Sequence, residues 1–202
     1  MDDGFQNPTL EKNLSVVTVD SRGFLGNGRV IPAGPLRASL KFQLDKTDLI
    51  MLVGEDCNSD SVVTDLKSTY DKDVVKSTYK PSGDLNWISH QPLIAFCGIA
   101  RPENFFYTLE KLGGIIYQKL EFPDHHQFAS SDADRLLNLA HDTGYQLVTT
   151  EKDLIRLLHR SGSLETLRKK TQTLAIDLSL DSQTEVKLNT YIKNTLDRFL
   201  ED

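Results

Sequence analysis

The sequence has few cysteines, no long apolar run and no excess of positive charge. Cys57 and Cys97 lie far apart, which predicts buried free thiols in a reducing compartment and leaves a disulfide between them open. The longest apolar runs are too short to span a bilayer. The formal net charge of -6 argues against a nucleic-acid partner, because neutralising phosphates requires a basic surface. The content of 39% hydrophobic and 26% charged residues predicts a soluble, cytosolic globular chain.

A phosphate-cradling P-loop motif is also missing from these 202 residues. The glycine-rich stretch GFLGNGRVIPAGPLR contains Arg29 and Arg37, but its spacing matches neither G-x-G-x-x-G nor G-x-x-x-x-G-K-[ST]. Glycines let a backbone approach a ligand closely, and arginines suit phosphate groups. The stretch is therefore either a ligand-binding loop or a purely structural one.

Apolar runs and turn signals divide the chain into two parts. In the first part, buried strands are predicted over residues 14–20 and 48–54, and a hairpin broken at KPSGD is predicted over residues 73–91. This polar, turn-rich segment is the best candidate for a domain junction. We therefore expect one domain over residues 1–90 and a smaller one over residues 91–202.

In the second part, predicted strands alternate with predicted helices. Strands are indicated by PLIAFCGIA, IIYQKLEF, YQLVTT and TLAIDLSL. Pro102 stands in the first turn of one intervening helix, Thr150 caps another, and Ser182 with Glu185 forms a capping box for the last. This alternation implies an α/β fold with a mainly parallel sheet and right-handed crossovers.

The chain begins with MDDGFQNPTL, which has the residues of a catalytic strand end. Adjacent carboxylates such as Asp2 and Asp3 are how P-loop enzymes hold Mg²⁺ against the β- and γ-phosphates. A surface Asp-Asp-Gly turn at a chain terminus explains the same residues, and the dipeptide by itself favours the turn.

FPDHHQF places Asp124, His125 and His126 between a predicted strand and a helix. Such strand ends are where α/β folds bind ligands, and a histidine there can act as a general base oriented by a carboxylate. Metal ligation is a second possibility, because Asp-His-His also marks some metal-dependent phosphoesterases. A polar loop with helix-capping duties is the third. The stretch VTTEKD similarly allows either an anion at a helix N-terminus or simple capping by Thr150.

Each motif is weak by itself, but their order is specific. MDDGFQN, GNGR, PAGPLR, GIARPENFF, FPDHH and VTTEKD follow one another at about the spacing found in one enzyme family. The chain closely resembles the C-terminal portion of the tetraacyldisaccharide 4'-kinases, the ATP-dependent lipid kinases of lipid A biosynthesis in Gram-negative bacteria. The resemblance covers nearly the whole chain and is strongest over residues 1–37 and 96–157.

The resemblance implies a P-loop kinase of two α/β domains joined by a short β linker, with the active site in the cleft between them. Residues 1–90 would be the remainder of the kinase domain plus the linker, and residues 91–202 the smaller domain. The implied reaction transfers the γ-phosphoryl group of ATP to the 4'-hydroxyl of tetraacyldisaccharide 1-phosphate, with Mg²⁺ as cofactor. The implied location is the cytoplasmic side of the inner membrane, which a segment preceding these residues would contact.

Site residues follow from the same resemblance. Asp2 and Asp3 match the carboxylate pair of the Mg²⁺ site. His125, with Asp124 beside it, matches the histidine that acts on the attacking hydroxyl, although the motif leaves His125 and His126 both open as the base. Residues expected to contact substrate or phosphate are Gln6, Asn27, Arg29 and Arg37.

Two residues depart from the family pattern, and one family segment is missing. Ala38 stands where the family commonly has Glu after PAGPLR, and Ala100 stands where it commonly has Gly. The family's P-loop and the carboxylate partner of its base precede MDDGFQ. We therefore expect a truncated form that begins at an internal methionine or comes from a shortened gene. We expect negligible kinase activity from the chain alone.

Three functional hypotheses result. The first is the C-terminal part of a lipid A 4'-kinase. The second is a non-catalytic fragment or binding module, soluble or aggregating in the cytoplasm. The third, and weakest, is a metal-dependent phosphoesterase that uses Asp124, His125 and His126.

Overall fold

A computed structural model describes residues 4–201 of the chain except residues 8, 10, 22, 24 and 55–58. Asp2, Asp3 and Cys57 lie outside the described residues. Two compact units are present: one runs to Lys80 and resumes at Leu178, and the other is Pro81–Asp177.

Strands and helices alternate along the described chain. The strands are β1 (Val16–Asp20), β2 (Leu49–Val53), β3 (Asp73–Ser82), β4 (Leu93–Cys97), β5 (Ile116–Glu121), β6 (Gln146–Thr150) and β7 (Thr171–Leu180). The α-helices are α1 (Leu40–Asp45), α2 (Ser59–Tyr70), α3 (Pro102–Lys111), α4 (Ser130–Thr143), α5 (Glu151–Arg156), α6 (Ser163–Lys170) and α7 (Ser182–Glu201). The α/β class with a mainly parallel sheet is confirmed.

The first unit is built around β2, whose five residues are all buried. β2 pairs in parallel with β1 on one side and with β3 on the other. Its sequence LIMLV supplies apolar side chains to both faces, as expected of a strand that is covered on both sides. Ile50 and Leu52 pack on one face, whereas Leu49 and Met51 pack on the other with Leu188 of α7.

Helix α7 is capped by Asp181 rather than by the predicted box of Ser182 and Glu185. Asp181 Oδ1 accepts the backbone N–H of Thr184 at 2.7 Å, and the Asp181 carbonyl accepts the N–H of Glu185 at 2.9 Å. A carboxylate at this position both caps the helix and interacts favourably with its dipole. The helix is confirmed, and the predicted cap is wrong by one residue.

The second unit is built around β4, which is buried over all five of its residues. The strand order is β7-β6-β4-β5, and the strands are parallel. Ile94 and Phe96 pack with Leu136 of α4, whereas Leu93 and Ala95 pack in the cluster that contains α3. Because these strands are parallel, the carboxyl ends of β4, β5 and β6 lie at one edge of the sheet.

The predicted hairpin over residues 73–91 is wrong. β3 is a single strand through Ser82, and the chain then forms a 3₁₀ helix, Asn86–Ser89. Gly83 adopts φ +81° directly after the strand, and Asp84 Oδ1 accepts the Asn86 N–H at 3.0 Å. These two features turn the chain into the 3₁₀ helix instead of returning it as a second strand.

The compact units differ in two respects from the expected domains, and the first is that the boundary lies between Lys80 and Pro81 instead of between residues 90 and 91. The chain after Leu178, including α7, belongs to the first unit, whereas the sequence division assigns all residues from 91 to the second domain. The units are defined by contacts within the chain, so the division at residues 90 and 91 stays a prediction. In the part of the chain that the structure describes, no helix has the length and apolar character needed to cross a membrane.

Candidate active site

The carboxyl edge of β4, β5 and β6 brings three sequence motifs together. GIARPE follows β4, FPDHHQF follows β5, and VTTEKD spans the end of β6 and the start of α5. The link between them is Gly98: its N–H donates to Asp153 Oδ2 at 3.0 Å, and its carbonyl accepts both the His125 N–H at 3.2 Å and Arg156 Nη1 at 2.8 Å. The segments after β4 and β5 and helix α5 therefore share one hydrogen-bond network.

Asp153 is the buried anchor of this network, with no exposed surface. Its Oδ2 accepts the Thr150 hydroxyl at 2.8 Å, and its Oδ1 accepts Arg156 Nη1 at 2.6 Å. Thr150 Oγ1 in turn accepts the Asp153 N–H at 3.2 Å, which confirms Thr150 as the cap of α5. Burying a carboxylate is costly unless it is paired with a positive charge and hydrogen-bonded. Both oxygens of Asp153 have hydrogen-bond partners, and Oδ1 is paired with Arg156.

Arg156 extends the network from the buried carboxylate to the surface. Its side chain is 15% exposed, and Nη2 lies 3.3 Å from Nδ1 of His125. Because a guanidinium has five N–H donors and no acceptor, it can bind Asp153, Gly98 and His125 together.

His125 is the exposed end of the network. Its side chain is 82% exposed, and its backbone adopts φ +59°, a conformation that is strained for any residue with a Cβ. The His125 N–H donates to Asp124 Oδ1 at 2.9 Å as well as to Gly98, and Nε2 lies 3.8 Å from Asp124 Oδ2. Backbone strain of this kind clusters at functional sites, where surrounding contacts hold it.

His126 has a different environment from its neighbour. Its Nε2 lies 3.0 Å from Asp132 Oδ2, and the same oxygen accepts the Ala129 N–H at 2.9 Å at the start of α4. The ring stacks on Phe122 with centroids 4.8 Å apart and meets the edge of Phe128 at 5.1 Å. His126 is therefore half-buried and held by Asp132 and two aromatic rings, and the structure separates two residues that the sequence left equivalent.

The carboxyl of Asp132 responds to these contacts. Burial raises the pKa of Asp132, but the Ala129 N–H and the His126 ring outweigh burial and leave the pKa below its usual value. The pair therefore favours an ionised carboxylate that fixes both the histidine and the start of the helix.

The donor set does not fit the metal-dependent alternative. No three His, Cys, Asp or Glu side chains come together as a metal-binding group among the described residues. His126 Nε2, which such a site would use, is directed at Asp132. Asp124, His125 and His126 thus do not form a three-ligand metal centre.

The glycine-rich loop that follows β1 contains three of the other predicted site residues, Asn27, Arg29 and Arg37. Asn27 braces the loop, because its Nδ2 donates to the Ala33 carbonyl at 2.8 Å and its Oδ1 accepts the Arg29 N–H at 3.1 Å. A Cβ at Gly34 would lie 2.1 Å from Asn27 Oδ1, so only glycine fits there. Exposed side chains in or before the loop are those of Gln6, Arg29 and Arg37.

Ala100, one of the two departures from the family pattern, lies in the second unit. Ala100 is not among the described residues with positive φ, so alanine fits this position without backbone strain. The carbonyl of Ala38, the other departure, accepts Gln43 Nε2 at 2.7 Å.

Comparison with known proteins identifies the family to which the chain is similar. The profile of the family described as Tetraacyldisaccharide-1-P 4'-kinase matches residues 1–196. The chain belongs to this family. Proteins named "Tetraacyldisaccharide 4'-kinase" from Rhodopseudomonas palustris (strain BisA53) and Parvibaculum lavamentivorans are 42% and 40% identical to it, covering 78% and 79% of the chain and 46% of each relative.

A third relative matches over a longer stretch. The protein of that name from Rhodopseudomonas palustris (strain HaA2) is 36% identical over 93% of the chain and 55% of its own length. The chain therefore spans about half the length of the curated relatives it matches. No solved structure matches it. Membership confirms the resemblance that the order of the motifs indicated.

Asp153 and Arg156 are the residues that sequence reasoning missed. The sequence interpretation of VTTEKD considers an anion at the helix N-terminus or capping by Thr150 and leaves out the side chains of Asp153 and Arg156, although an Asp and an Arg three residues apart on a helix commonly form a pair. That spacing was the available signal. The contacts of the pair with Gly98 and His125, which lie 55 and 31 residues away along the chain, had no signal in the sequence.

A second polar cluster lies in the first unit, at the amino end of β3. Asp73 Oδ2 accepts the Tyr191 hydroxyl at 2.5 Å, and Asp73 Oδ1 is paired with Lys187. Lys187 first and Tyr191 second lower the pKa of Asp73 below its usual value. Burial, followed by the hydrogen bond to Asp73, raises the pKa of Tyr191 to about 12. This cluster fastens α7 to the sheet of the first unit.

Proposed function

We propose that this protein contributes to the ATP-dependent phosphorylation of the 4'-hydroxyl of tetraacyldisaccharide 1-phosphate in lipid A biosynthesis. One observation carries the proposal: at the carboxyl edge of the sheet, a network anchored on Asp153 holds His125 in a strained backbone conformation with its ring exposed. Family membership supplies the reaction class. His126, packed against two aromatic rings, does not offer a free ring.

His125 acts in this reaction on the sugar hydroxyl. The ring takes the hydroxyl proton as the oxygen forms its bond to the γ-phosphorus, and the bond from that phosphorus to the β–γ bridging oxygen breaks, releasing ADP. Asp124 stabilises the imidazolium that results, since its Oδ2 is 3.8 Å from Nε2. General-base assistance of this kind contributes a factor of about 10²–10⁴ to a rate.

The first unit serves the phosphates in the same proposal. Asp2 and Asp3 are assigned to Mg²⁺, which neutralises charge on the transferred group when bound. Arg29, Arg37 and Gln6 contact substrate or phosphate, and Asn27 shapes the loop that presents them. The exposure of these side chains and the bracing of the loop support this assignment.

The setting of the reaction follows from its substrate. A tetraacylated sugar resides in a lipid surface, so we assign the reaction to the cytoplasmic face of the inner membrane. The residues that cradle ATP phosphates in P-loop kinases are not found in this sequence, and we expect no measurable transfer by the 202-residue chain alone. The alternative is a non-catalytic fragment or binding module.

A segment exchange tests the proposal. The part of the Rhodopseudomonas palustris (strain HaA2) relative that aligns with this chain is replaced by this chain, and transfer of labelled γ-phosphate to tetraacyldisaccharide 1-phosphate is measured. We expect transfer by the exchanged protein and a fall in kcat of about 10²-fold or more in His125→Asn. Asparagine tolerates φ > 0, so the backbone is preserved.

Two controls sharpen this test. His159→Asn changes another exposed histidine with positive φ, at +57°, and should leave kcat unchanged. His126→Asn should lower the stability of the second unit, whereas kcat per folded molecule should change little. A folded exchanged protein with no transfer would favour the binding-module alternative, and equal kcat for His125→Asn and His159→Asn would remove His125 from the mechanism.

A further inference from the structure

The contact between Arg156 and His125 determines which ring nitrogen carries the proton. Arg156 Nη2 lies 3.3 Å from His125 Nδ1. Arginine is a hydrogen-bond donor only, so Nδ1 must be the acceptor in this contact. In a neutral imidazole the remaining proton then resides on Nε2, since the tautomer is set by the hydrogen bond that the other nitrogen makes.

The surroundings of Nε2 agree with the same tautomer. Asp124 Oδ2 lies 3.8 Å from Nε2, and a carboxylate on that side favours an N–H over a lone pair. The Asp124 carboxyl is itself oriented, because Oδ1 accepts the His125 N–H at 2.9 Å. Both ring nitrogens therefore face groups that favour the same arrangement.

The position of Arg156 is fixed from the interior. Its Nη1 is held by Asp153 Oδ1 at 2.6 Å and by the Gly98 carbonyl at 2.8 Å, while Asp153 is fully buried. The Gly98 carbonyl also accepts the His125 N–H, so the guanidinium and the histidine backbone are attached to one carbonyl oxygen. These shared contacts fix the position of the His125 ring relative to the Arg156 guanidinium.

We propose that Asp153 and Arg156 are positioning residues that hold His125 as the Nε2–H tautomer, so that Nδ1 is the ring atom that accepts a proton. The tautomer concerns this chain alone, and only its catalytic consequence rests on the proposed function. In the proposed reaction, the sugar hydroxyl would replace the Arg156 N–H at Nδ1 and deliver its proton to that nitrogen, while Arg156 stays bound to Asp153 and Gly98. The attacking oxygen would then lie beside a cation as negative charge develops on the phosphoryl group.

Nitrogen NMR of the histidine rings tests the tautomer in the chain as it exists. Chain labelled with ¹⁵N in the imidazole rings is recorded at about pH 8.5, some two units above the usual histidine pKa, where the rings are neutral. His125→Asn identifies the resonances of the residue. We expect the Nε2–H pattern in the unchanged chain. The Nδ1–H pattern for His125 would overturn the proposal.

Two substitutions and one control establish the cause. Arg156→Ala removes the donor and should change the tautomer ratio by roughly tenfold toward a mixture, the effect of losing one hydrogen bond to a charged group. Arg156→Lys retains a cationic donor and should give an intermediate ratio. Arg160→Ala removes an exposed arginine four residues later and should leave the ratio unchanged. An unchanged ratio in both Arg156 variants would also overturn the proposal.

The catalytic consequence is read separately. In the exchanged kinase, Arg156→Ala should lower kcat by about tenfold or more and change the pH profile of kcat, with the KM for ATP unchanged, and Arg156→Lys should recover part of the loss. If NMR shows the Nε2–H tautomer but the exchanged protein transfers no phosphate, the proposed function is contradicted and the tautomer is still established. An equal loss in Arg156→Ala and Arg160→Ala would refute the positioning role.

Discussion

The guanidinium of Arg156 lies 2.6 Å from the carboxylate of Asp153, which has no exposed surface. The same carboxylate accepts the N–H of Gly98 and the hydroxyl of Thr150. Three partners on two segments of the chain thus depend on one buried group. An amide in its place keeps one acceptor oxygen and no charge, so either Arg156 or the other donors lose their partner, which is more harmful than never having had the pair.

We expect Asp153→Asn to lower the free energy of unfolding by about 3 kcal/mol, the usual cost of breaking a buried ion pair. Denaturant unfolding followed by far-UV circular dichroism measures the change. Asp134→Asn, an exposed position on α4, serves as the matched control and should change it by less than about 0.5 kcal/mol. A similar stability of the two variants would contradict the anchoring role of Asp153.

Glycine at position 125 should raise stability. A residue with a Cβ in the left-handed region costs about 1–2 kcal/mol, which exceeds the entropy that glycine adds to the unfolded chain, so His125→Gly should gain about 0.5–1 kcal/mol. His159→Gly, at φ +57°, should gain a similar amount. His90→Gly, at φ -80°, should instead lose stability. Thermal unfolding of the three variants separates strain relief from loss of the imidazole.

Asp73 should make stability dependent on acid pH. Its pKa is lowered in the folded chain, so its contribution is present above the unfolded value of about 3.9 and is lost as pH falls through the folded pKa. The side chain is 41% exposed, which limits the contribution to about 1 kcal/mol or less. The difference between the unchanged chain and Asp73→Asn should therefore be larger at neutral pH than in acid. Asp71→Asn, two residues earlier, should show no such difference.

Tyr191 should add a dependence at alkaline pH. Its pKa is raised to about 12, above the ordinary value of about 10, so its contribution is complete below pH 10 and is lost as pH rises toward 12. Tyr191→Phe should lower stability by about 1 kcal/mol below pH 10, and the gap should close above it. Tyr79→Phe, an exposed tyrosine, is the control. A gap that widens with alkaline pH would show that the hydroxyl is not bound to Asp73.

Cys97 should be unreactive in the folded chain. It is a free thiol without exposed surface, and burial together with the nearby Asp153 carboxylate raises its pKa to about 12. The thiolate is the reactive form, so neutral pH leaves almost none of it. In a Cys57→Ser background, modification of Cys97 by a disulfide reagent should proceed at the rate of unfolding. A fast phase in native buffer would contradict this expectation.

Elements with strong local signals could be predicted from the sequence. The continuous apolar runs of β2 and β4 and Pro102 in the first turn of α3 depend only on nearby residues, and the structure confirms all three elements. Helices α1, α2 and α6 were not predicted, and the hairpin over residues 73–91 was wrong. Short or weakly periodic segments such as these are decided by the packing around them rather than by their own residues.

The sequence predicted which residues form part of the candidate site but not how they contact one another. The sequence identified Asp124, His125 and His126 as a group at a strand end, which is where they lie. It could not separate the two histidines, because the difference depends on Asp132 six residues later and on Arg156 of helix α5. Likewise, the pairing of Asp73 with α7 joins residues more than 100 positions apart. Contacts of that range follow from the fold and leave no local pattern.

His125 is held at its own backbone and at the residue that follows it, and this affects how a ligand binds. Its backbone is attached to the Gly98 carbonyl, and the next residue is held by Asp132 and two aromatic rings. The conformational entropy of this loop is therefore lost when the chain folds and not when a ligand arrives. A molecule that binds at the ring needs to order little more than the side-chain torsions of one histidine, so more of its contact energy remains as affinity.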